Sequence, residues 1–301
     1  MRILVTDGMD KTAMAQLREM GHEVVEQFYE PDQLGAALKD FDAVVVRSKT
    51  KVRANHIDEA KTGKLKLIIR GGVGVDNIDV KYAESCGITE KNTPRASSQS
   101  VAELAMGHMF SCARYLSIAG HTMREDKWEK KAYGKGIELQ GKTLGIVGFG
   151  RIGQHLGVMA KAIGMKVVAF DIFHIPGIEE QLGIPYVEMD DLLAQADFVS
   201  VHAPAVDGGA LISAENIAKM KDGVVIINTS RGTNVDEAAL LAALESGKVR
   251  AAGLDVYADE PATNKALYSH PMVSCTPHIG AATVEAQKRI GAEIVDIIKN
   301  F

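Results

Sequence analysis

Short runs of aliphatic and β-branched residues alternate along this chain with stretches whose apolar positions recur every three or four residues. In the first ninety residues the strand-like runs are Ile3 to Thr6, Glu23 to Phe28, Ala43 to Val46 and Leu67 to Ile69. Helical patterns at Met14 to Met20, Leu34 to Leu38 and Ile57 to Ala60 separate them, and a helical Val80 to Ser85 precedes a last short strand near Ile88. Continuous apolar runs of strand length belong inside a sheet, and helical crossovers between them make that sheet parallel. The pattern therefore predicts a flavodoxin-like open sheet.

From Ser100 to Tyr115 the residues Val101, Leu104, Ala105, Met109 and Ala113 keep helical spacing, with Glu103 three places after a Ser100 cap. Met123 to Lys142 is charged and aperiodic, holds the only tryptophan, Trp128, and reads as a connector or arm. A second alternating series starts at Thr143. Its strands are Leu144 to Val147, Val167 to Phe170, Phe198 to His202, Val224 to Thr229, Ala251 to Val256 and Met272 to Thr276. Helical patterns at Gly153 to Ile163, Met189 to Ala194, Ile217 to Met220 and Glu237 to Ser246 lie between most of them. Thr283 to Phe301 is an amphipathic helix expected to return to the first domain. The expected fold is thus α/β with two doubly wound parallel-sheet domains: a flavodoxin-like domain over 1–96 plus 283–301, and a Rossmann dinucleotide-binding domain over 97–282.

Composition narrows the class. With 46% hydrophobic and 24% charged residues in 301, the chain has the make-up of a globular protein of about two domains. A net charge of -5 with scattered lysines and arginines argues against a nucleic-acid partner. Cys86, Cys112 and Cys275 have neither CxxC spacing nor neighbouring histidine clusters, so neither a disulfide frame nor a metal site is expected. No apolar stretch approaches the ~18 residues of a membrane span, and no export signal precedes the first strand, which predicts a cytoplasmic protein.

Two constellations carry chemistry. The first is Gly148-Phe149-Gly150-Arg151-Ile152-Gly153, a GxGxxG loop leaving a strand and opening a helix, with Asp171 ending the next strand. Its first glycine permits the turn, its second lets backbone approach a pyrophosphate, and its third lets helix and strand pack closely. Asp171 accepts from ribose hydroxyls and repels the extra phosphate of NADP, so NAD is the expected cofactor. Arg151 and His174 are nearby cations that would soften this preference. The second constellation is three polar residues just past strands: Arg231, Glu260 and His278. Oxidising a hydroxy acid requires a base that titrates near neutrality, a carboxylate that fixes its tautomer, and a guanidinium fork for the substrate carboxylate. His278, Glu260 and Arg231 supply these in turn.

The blocks Asn228-Thr229-Ser230-Arg231-Gly232, Leu254-Asp255-Val256-Tyr257-Ala258-Asp259-Glu260-Pro261 and Thr276-Pro277-His278-Ile279-Gly280-Ala281 resemble the signatures of the D-isomer-specific 2-hydroxyacid dehydrogenases. That resemblance implies the catalytic roles just given, an NAD-dependent hydride transfer at C2 of a D-2-hydroxy acid, and a homodimer. It also places Asp255 near the nicotinamide amide, Thr229 and Ser230 near the cofactor, and His202-Ala203-Pro204 and Gly280 along the same site. The small domain's loop Arg70-Gly71-Gly72-Val73-Gly74 is the expected substrate-carboxylate site.

Three stretches, Val46 to Val52, Gly71 to Asn77 and Lys127 to Lys131, resemble the branch of that family acting on 3-phosphoglycerate. Arg47, Arg70 and Lys130 or Lys131 would meet the phosphate. The expectation is oxidation of 3-phosphoglycerate to 3-phosphohydroxypyruvate in serine biosynthesis, without a regulatory domain. The alternatives are a glyoxylate or hydroxypyruvate reductase, a D-lactate dehydrogenase, or, in a different class, an NAD-sensing corepressor-like protein. The turn Ala205 to Ala210 and the Arg95-Ala96-Ser97 stretch depart from the family's usual sequence.

Overall fold

Eleven strands, all paired in parallel, form two sheets in the computed structural model, which describes residues 1–301. The chain divides into two units, residues 1–97 with 281–301, and residues 98–280.

In the first unit β1 (Arg2–Val5), β2 (Glu23–Glu26), β3 (Ala43–Val46), β4 (Leu67–Arg70) and β5 (Thr89–Asn92) are ordered β2-β1-β3-β4-β5. This is the flavodoxin-like order the sequence predicts. β1, β3 and β4 are apolar on both faces because helices cover both. One layer packs Met14 and Leu17 with Ile290, Ile294 and Ile298, so the helix Val284–Lys299 joins this unit's core. The other layer gathers Leu34, Leu38, Ile57 and Ile78.

The second unit holds β6 (Thr143–Val147), β7 (Lys166–Phe170), β8 (Phe198–Val201), β9 (Val224–Asn228), β10 (Val249–Leu254) and β11 (Val273–Cys275), ordered β11-β10-β9-β8-β6-β7. A single parallel bridge, Ala169 to Tyr186, lies beyond β7. It consists of Ala169 N–H donating to the Pro185 carbonyl (3.0 Å) and Val187 N–H donating to Ala169 (2.8 Å). Pro185 has no N–H to extend the pairing, so the segment never becomes a strand. With that bridge included, the order is that of the Rossmann dinucleotide fold.

Several local expectations are corrected. The helix after the first unit runs Ser98–Arg114, so Ser100 lies inside its first turn and is not its cap. Tyr115 adopts the left-handed conformation (φ 58°), which ends that helix and starts another over Leu116–Arg124. The charged stretch after it is not all peripheral: Leu139 is buried and Ile137 packs on the core. No helix is long and apolar enough to cross a membrane, and all three cysteines are free thiols.

Candidate active site

The strand order of the second unit reverses between β6 and β8, and a crevice at such a reversal is where open α/β sheets bind ligands. The glycine loop sits there. Gly148 has φ +94°, and a Cβ on it would stand 2.5 Å from the Ala203 backbone nitrogen, so only glycine lets the ends of β6 and β8 approach. A Cβ on Gly153 would meet the Gly148 carbonyl at 2.4 Å, whereas one on Gly150 would enter open space. The middle glycine therefore keeps clear a surface that no protein atom fills. Gly150 precedes the 12-residue helix Arg151–Ala162 and gives it no side-chain cap, so the first N–H groups, those of Arg151 and Ile152 among them, face outward with the helix dipole behind them.

Asp171 lies just past β7, and its carboxylate is oriented by two backbone donors, Phe149 N–H (2.7 Å) and Phe173 N–H (3.0 Å). Each oxygen keeps a lone pair for a further donor. Next to it Ile172 and Phe173 are 95% and 69% exposed, an apolar platform of the kind a nucleobase covers. Sequence reasoning overlooked this pair, although two large apolar residues beyond a strand end were a readable signal. His174, named as a cation near the ribose, stacks on Tyr186 with ring centroids 4.0 Å apart.

Along the same edge, His202 Nδ1, Thr229 Oγ1 and Asn234 Oδ1 are buried polar atoms with no protein partner. Such atoms are rare unless a ligand or an ordered water completes them. Burial pushes the His202 imidazole down to about 3, so it serves as a neutral hydrogen-bonding group, with Nε2 2.8 Å from Ser200 Oγ. The open surface at Gly150, the uncapped helix, the Asp171 carboxylate and these orphaned atoms together fit a nicotinamide dinucleotide.

Arg231 and Glu260 follow β9 and β10, and His278 follows β11. His278 Nδ1 lies 2.7 Å from Glu260 Oε2, and the two side chains stay 40% and 39% exposed, close enough to pair and open enough to meet a substrate. Burial alone would raise the Glu260 carboxyl. The hydrogen bond and charge of His278, the Tyr257 N–H and the Arg231 charge outweigh it and hold Glu260 below the ordinary carboxylate value. The Arg231 loop is fixed by Asn228, whose Nδ2 donates to the Arg231 carbonyl (2.8 Å) and whose Oδ1 accepts from Ser230 N–H and Oγ–H. Asn234 donates to the Ala203 carbonyl and to Ser230 Oγ. Neither asparagine was singled out from the sequence, because an amide within a loop has no periodic signature.

His278 is held at φ +53°, a conformation that costs a non-glycine residue about 1–2 kcal/mol. Asp255 secures it. Its carbonyl accepts from His278 N–H (2.8 Å), and its buried carboxylate accepts from Ile279 N–H (2.8 Å), Gly280 N–H (2.8 Å) and Thr276 Oγ–H (2.6 Å). Two of the residues that the resemblance set beside the cofactor, Asp255 and Gly280, are thus bonded to each other under the His278 loop.

In the first unit, β3 and β4 pair so that Val46 lies opposite Arg70, which brings Arg47 beside the glycine loop. Gly71 N–H donates to the Val46 carbonyl (2.9 Å) and Gly72 N–H to the Arg70 carbonyl (2.9 Å). Arg70 turns back on its own loop, with Nη1 2.9 Å from the Gly71 carbonyl. Asn92 Nδ2 donates to Val73 (2.6 Å). The N–H groups of Gly71 and Gly72 are thus engaged within the protein, which leaves those of Val73 and Gly74 as the loop's candidate anion donors. Trp128, Lys130 and Lys131 lie in an exposed stretch of turns.

A dinucleotide crevice with a histidine–carboxylate pair and an arginine at neighbouring strand ends defines a nicotinamide-dependent dehydrogenase. The family model for the D-isomer specific 2-hydroxyacid dehydrogenase NAD binding domain matches residues 106–280, and the chain belongs to that family. It is 48% identical over 303 residues to a hydroxypyruvate reductase of Thermotoga maritima, covering 99% of this chain and 97% of the relative. It is 43% identical over 300 residues to a D-3-phosphoglycerate dehydrogenase of Methanocaldococcus jannaschii, covering 99% of this chain but 57% of that protein. A solved glyoxylate reductase from Paecilomyes thermophila superposes with a TM-score of 0.89 at 31% identity, covering 99% of this chain and 94% of that one. The protein is an NAD-binding D-2-hydroxyacid dehydrogenase.

Proposed function

We propose that the chain reduces a small unphosphorylated 2-oxo acid with NADH, hydroxypyruvate to D-glycerate or glyoxylate to glycolate. The observation that carries the reaction is the 2.7 Å pairing of His278 with Glu260 beside Arg231. The substrate choice draws on the end-to-end likeness to a hydroxypyruvate reductase. NADH, when bound, supplies the hydride that C2 receives. In this reading Gly148, Gly150, Arg151, Ile152 and Gly153 hold the pyrophosphate, and Asp171 accepts from the ribose hydroxyls. His202, Ala203, Pro204, Thr229 and Ser230 line the nicotinamide end. The Arg231 guanidinium binds the substrate carboxylate and polarises the C2 oxygen. Protonated His278 gives its Nε2 proton to that oxygen, while Glu260 stabilises the imidazolium through Nδ1. In the reverse direction the neutral ring takes the hydroxyl proton.

3-Phosphoglycerate remains the second reading, favoured by Arg47 beside the Arg70 to Gly74 loop and by the relatives that act on it. Steady-state rates of NADH consumption with hydroxypyruvate, glyoxylate and pyruvate, set against NADH formation with 3-phosphoglycerate, decide between them. A higher kcat/KM for the phosphorylated acid reverses the order. The same proposal includes a homodimer, with exposed Leu116, Met123 and Trp128 as apolar surface for a second copy; light scattering reads its mass.

A further inference from the structure

Helix Ser98–Arg114 presents an apolar face to β9 and β10, yet one of its most buried residues is a histidine, His108, 3% exposed. A polar ring in such a place has to be hydrogen-bonded. Its Nδ1 lies 3.0 Å from Ser274 Oγ, and its Nε2 lies 3.0 Å from Thr276 Oγ1. The strand beneath makes room for it: a Cβ on Gly253, in β10, would stand 2.5 Å from the His108 Cβ and 3.0 Å from its Cγ.

The direction of every proton in this cluster follows from its last member. The Asp255 carboxylate only accepts, so the Thr276 hydroxyl proton is committed to Asp255 Oδ1 at 2.6 Å. Thr276 Oγ1 must then accept from His108, which places a proton on Nε2. With the ring neutral, Nδ1 accepts from the Ser274 hydroxyl. Burial lowers the His108 pKa against the opposing pull of Asp255, in keeping with a neutral ring. The chain thus runs one way, from Ser274 through His108 and Thr276 to Asp255, whose carboxylate and carbonyl hold the backbone of His278, Ile279 and Gly280.

We infer that His108 is a positioning residue for the reaction: acting through Thr276 and Asp255, it fixes the left-handed loop that aims His278 at the substrate. It touches neither substrate nor cofactor. The inference rests on His278 being the acid–base group. A ring locked by donors and acceptors at both nitrogens transmits a single geometry, whereas an apolar side chain of equal size leaves Thr276 free to turn.

The test has two arms. On the unsubstituted protein, 15N chemical shifts of the histidine side chains are expected to show His108 neutral with its proton on Nε2 at pH 7. A proton on Nδ1, or a cation, overturns the inference, and this arm does not depend on any variant folding. In the second arm H108L is expected to lower kcat about tenfold, as a small misalignment of a reacting group does, with the KM for the 2-oxo acid and the NADH Kd within about twofold. H108Q keeps a donor near the Nε2 position and should recover most of the rate. T276V should lower kcat alike, and the double variant H108L/T276V should fall no further, since both act through one chain. Unchanged kcat in H108L, additive losses, or an equal loss of NADH affinity refutes the relay. H278A separates the two readings: if it retains turnover, the base assignment fails, whereas if it is inactive while H108L is unaffected, only the relay fails.

Discussion

The two units share a doubly wound plan but treat the crevice at their strand reversal in opposite ways. In the first unit the reversal lies between β1 and β3, and the protein fills it with its own anion. Asp7, just past β1, accepts from Arg47 N–H (2.8 Å), Thr50 N–H (3.0 Å) and Thr50 Oγ–H (2.6 Å). Asn77 closes the same loop from below by donating to the Arg47 and Thr50 carbonyls, both at 2.7 Å. In the second unit the reversal lies between β6 and β8, where a glycine loop and an uncapped helix leave the donors facing outward. A carboxylate in one unit and glycines in the other determine whether the same topology is sealed or receptive. Fold alone would not separate them.

The comparison can be broken from either side. The largest effect expected is that of H278A, a loss of turnover of about 10²- to 10⁴-fold with NADH binding, read by fluorescence titration, unchanged. Parallel losses of both would show that the second unit's chemistry and its crevice are not separable. G148A forces a Cβ against the Ala203 backbone at positive φ. A destabilisation of about 3 kcal/mol together with weaker NADH binding is expected from urea unfolding and titration. D7A removes the built-in anion and leaves backbone donors unpaired, which should lower stability by about 1.5–3 kcal/mol and leave NADH affinity as it was. Weaker NADH binding in that variant would contradict the division of roles.

Smaller effects sharpen the picture within the second unit. Glu260 holds the His278 ring through Nδ1 at 2.7 Å. E260Q keeps the size of that partner but not its charge, and should lower kcat by about tenfold or more with NADH binding unchanged; an unchanged kcat would count against the pairing. The depressed Glu260 carboxyl carries the matching stability term. That stabilisation is present at neutral pH and is lost as pH falls through the folded-state value. D171N removes a fixed negative charge, and the NADP-to-NAD ratio of kcat/KM should rise roughly tenfold; an unchanged ratio would count against the ribose assignment.

What the sequence made legible follows from period and position. The buried strands announce themselves because parallel strands covered on both faces are continuous apolar runs, as in Ala43–Val46 and Val224–Asn228. Gly148, Arg231, Glu260 and His278 were readable because each stands just past such a run. The supports were not. The resemblance sets Asp255 near the nicotinamide amide, and only the fold shows its carboxylate turned under the His278 loop. Arg70 reads as a cation at a strand end, and only the fold shows that its Nη1 donates to the Gly71 carbonyl of its own glycine loop. His108 was not singled out either. It interrupts an apolar helical face, and such an interruption is itself a signal that a partner lies opposite.

The Pro185 bridge bears on how the protein behaves in a crowded solution. An outermost strand with free N–H and carbonyl groups is a template on which another chain can add a strand. The segment Pro185 to Val187 occupies the middle of β7's outer side through Ala169, and the outward N–H of Tyr186 is taken by Glu179 Oε1 at 2.7 Å. The larger sheet therefore ends, on this side, at a margin where a side-chain carboxylate takes the place that an added strand would need.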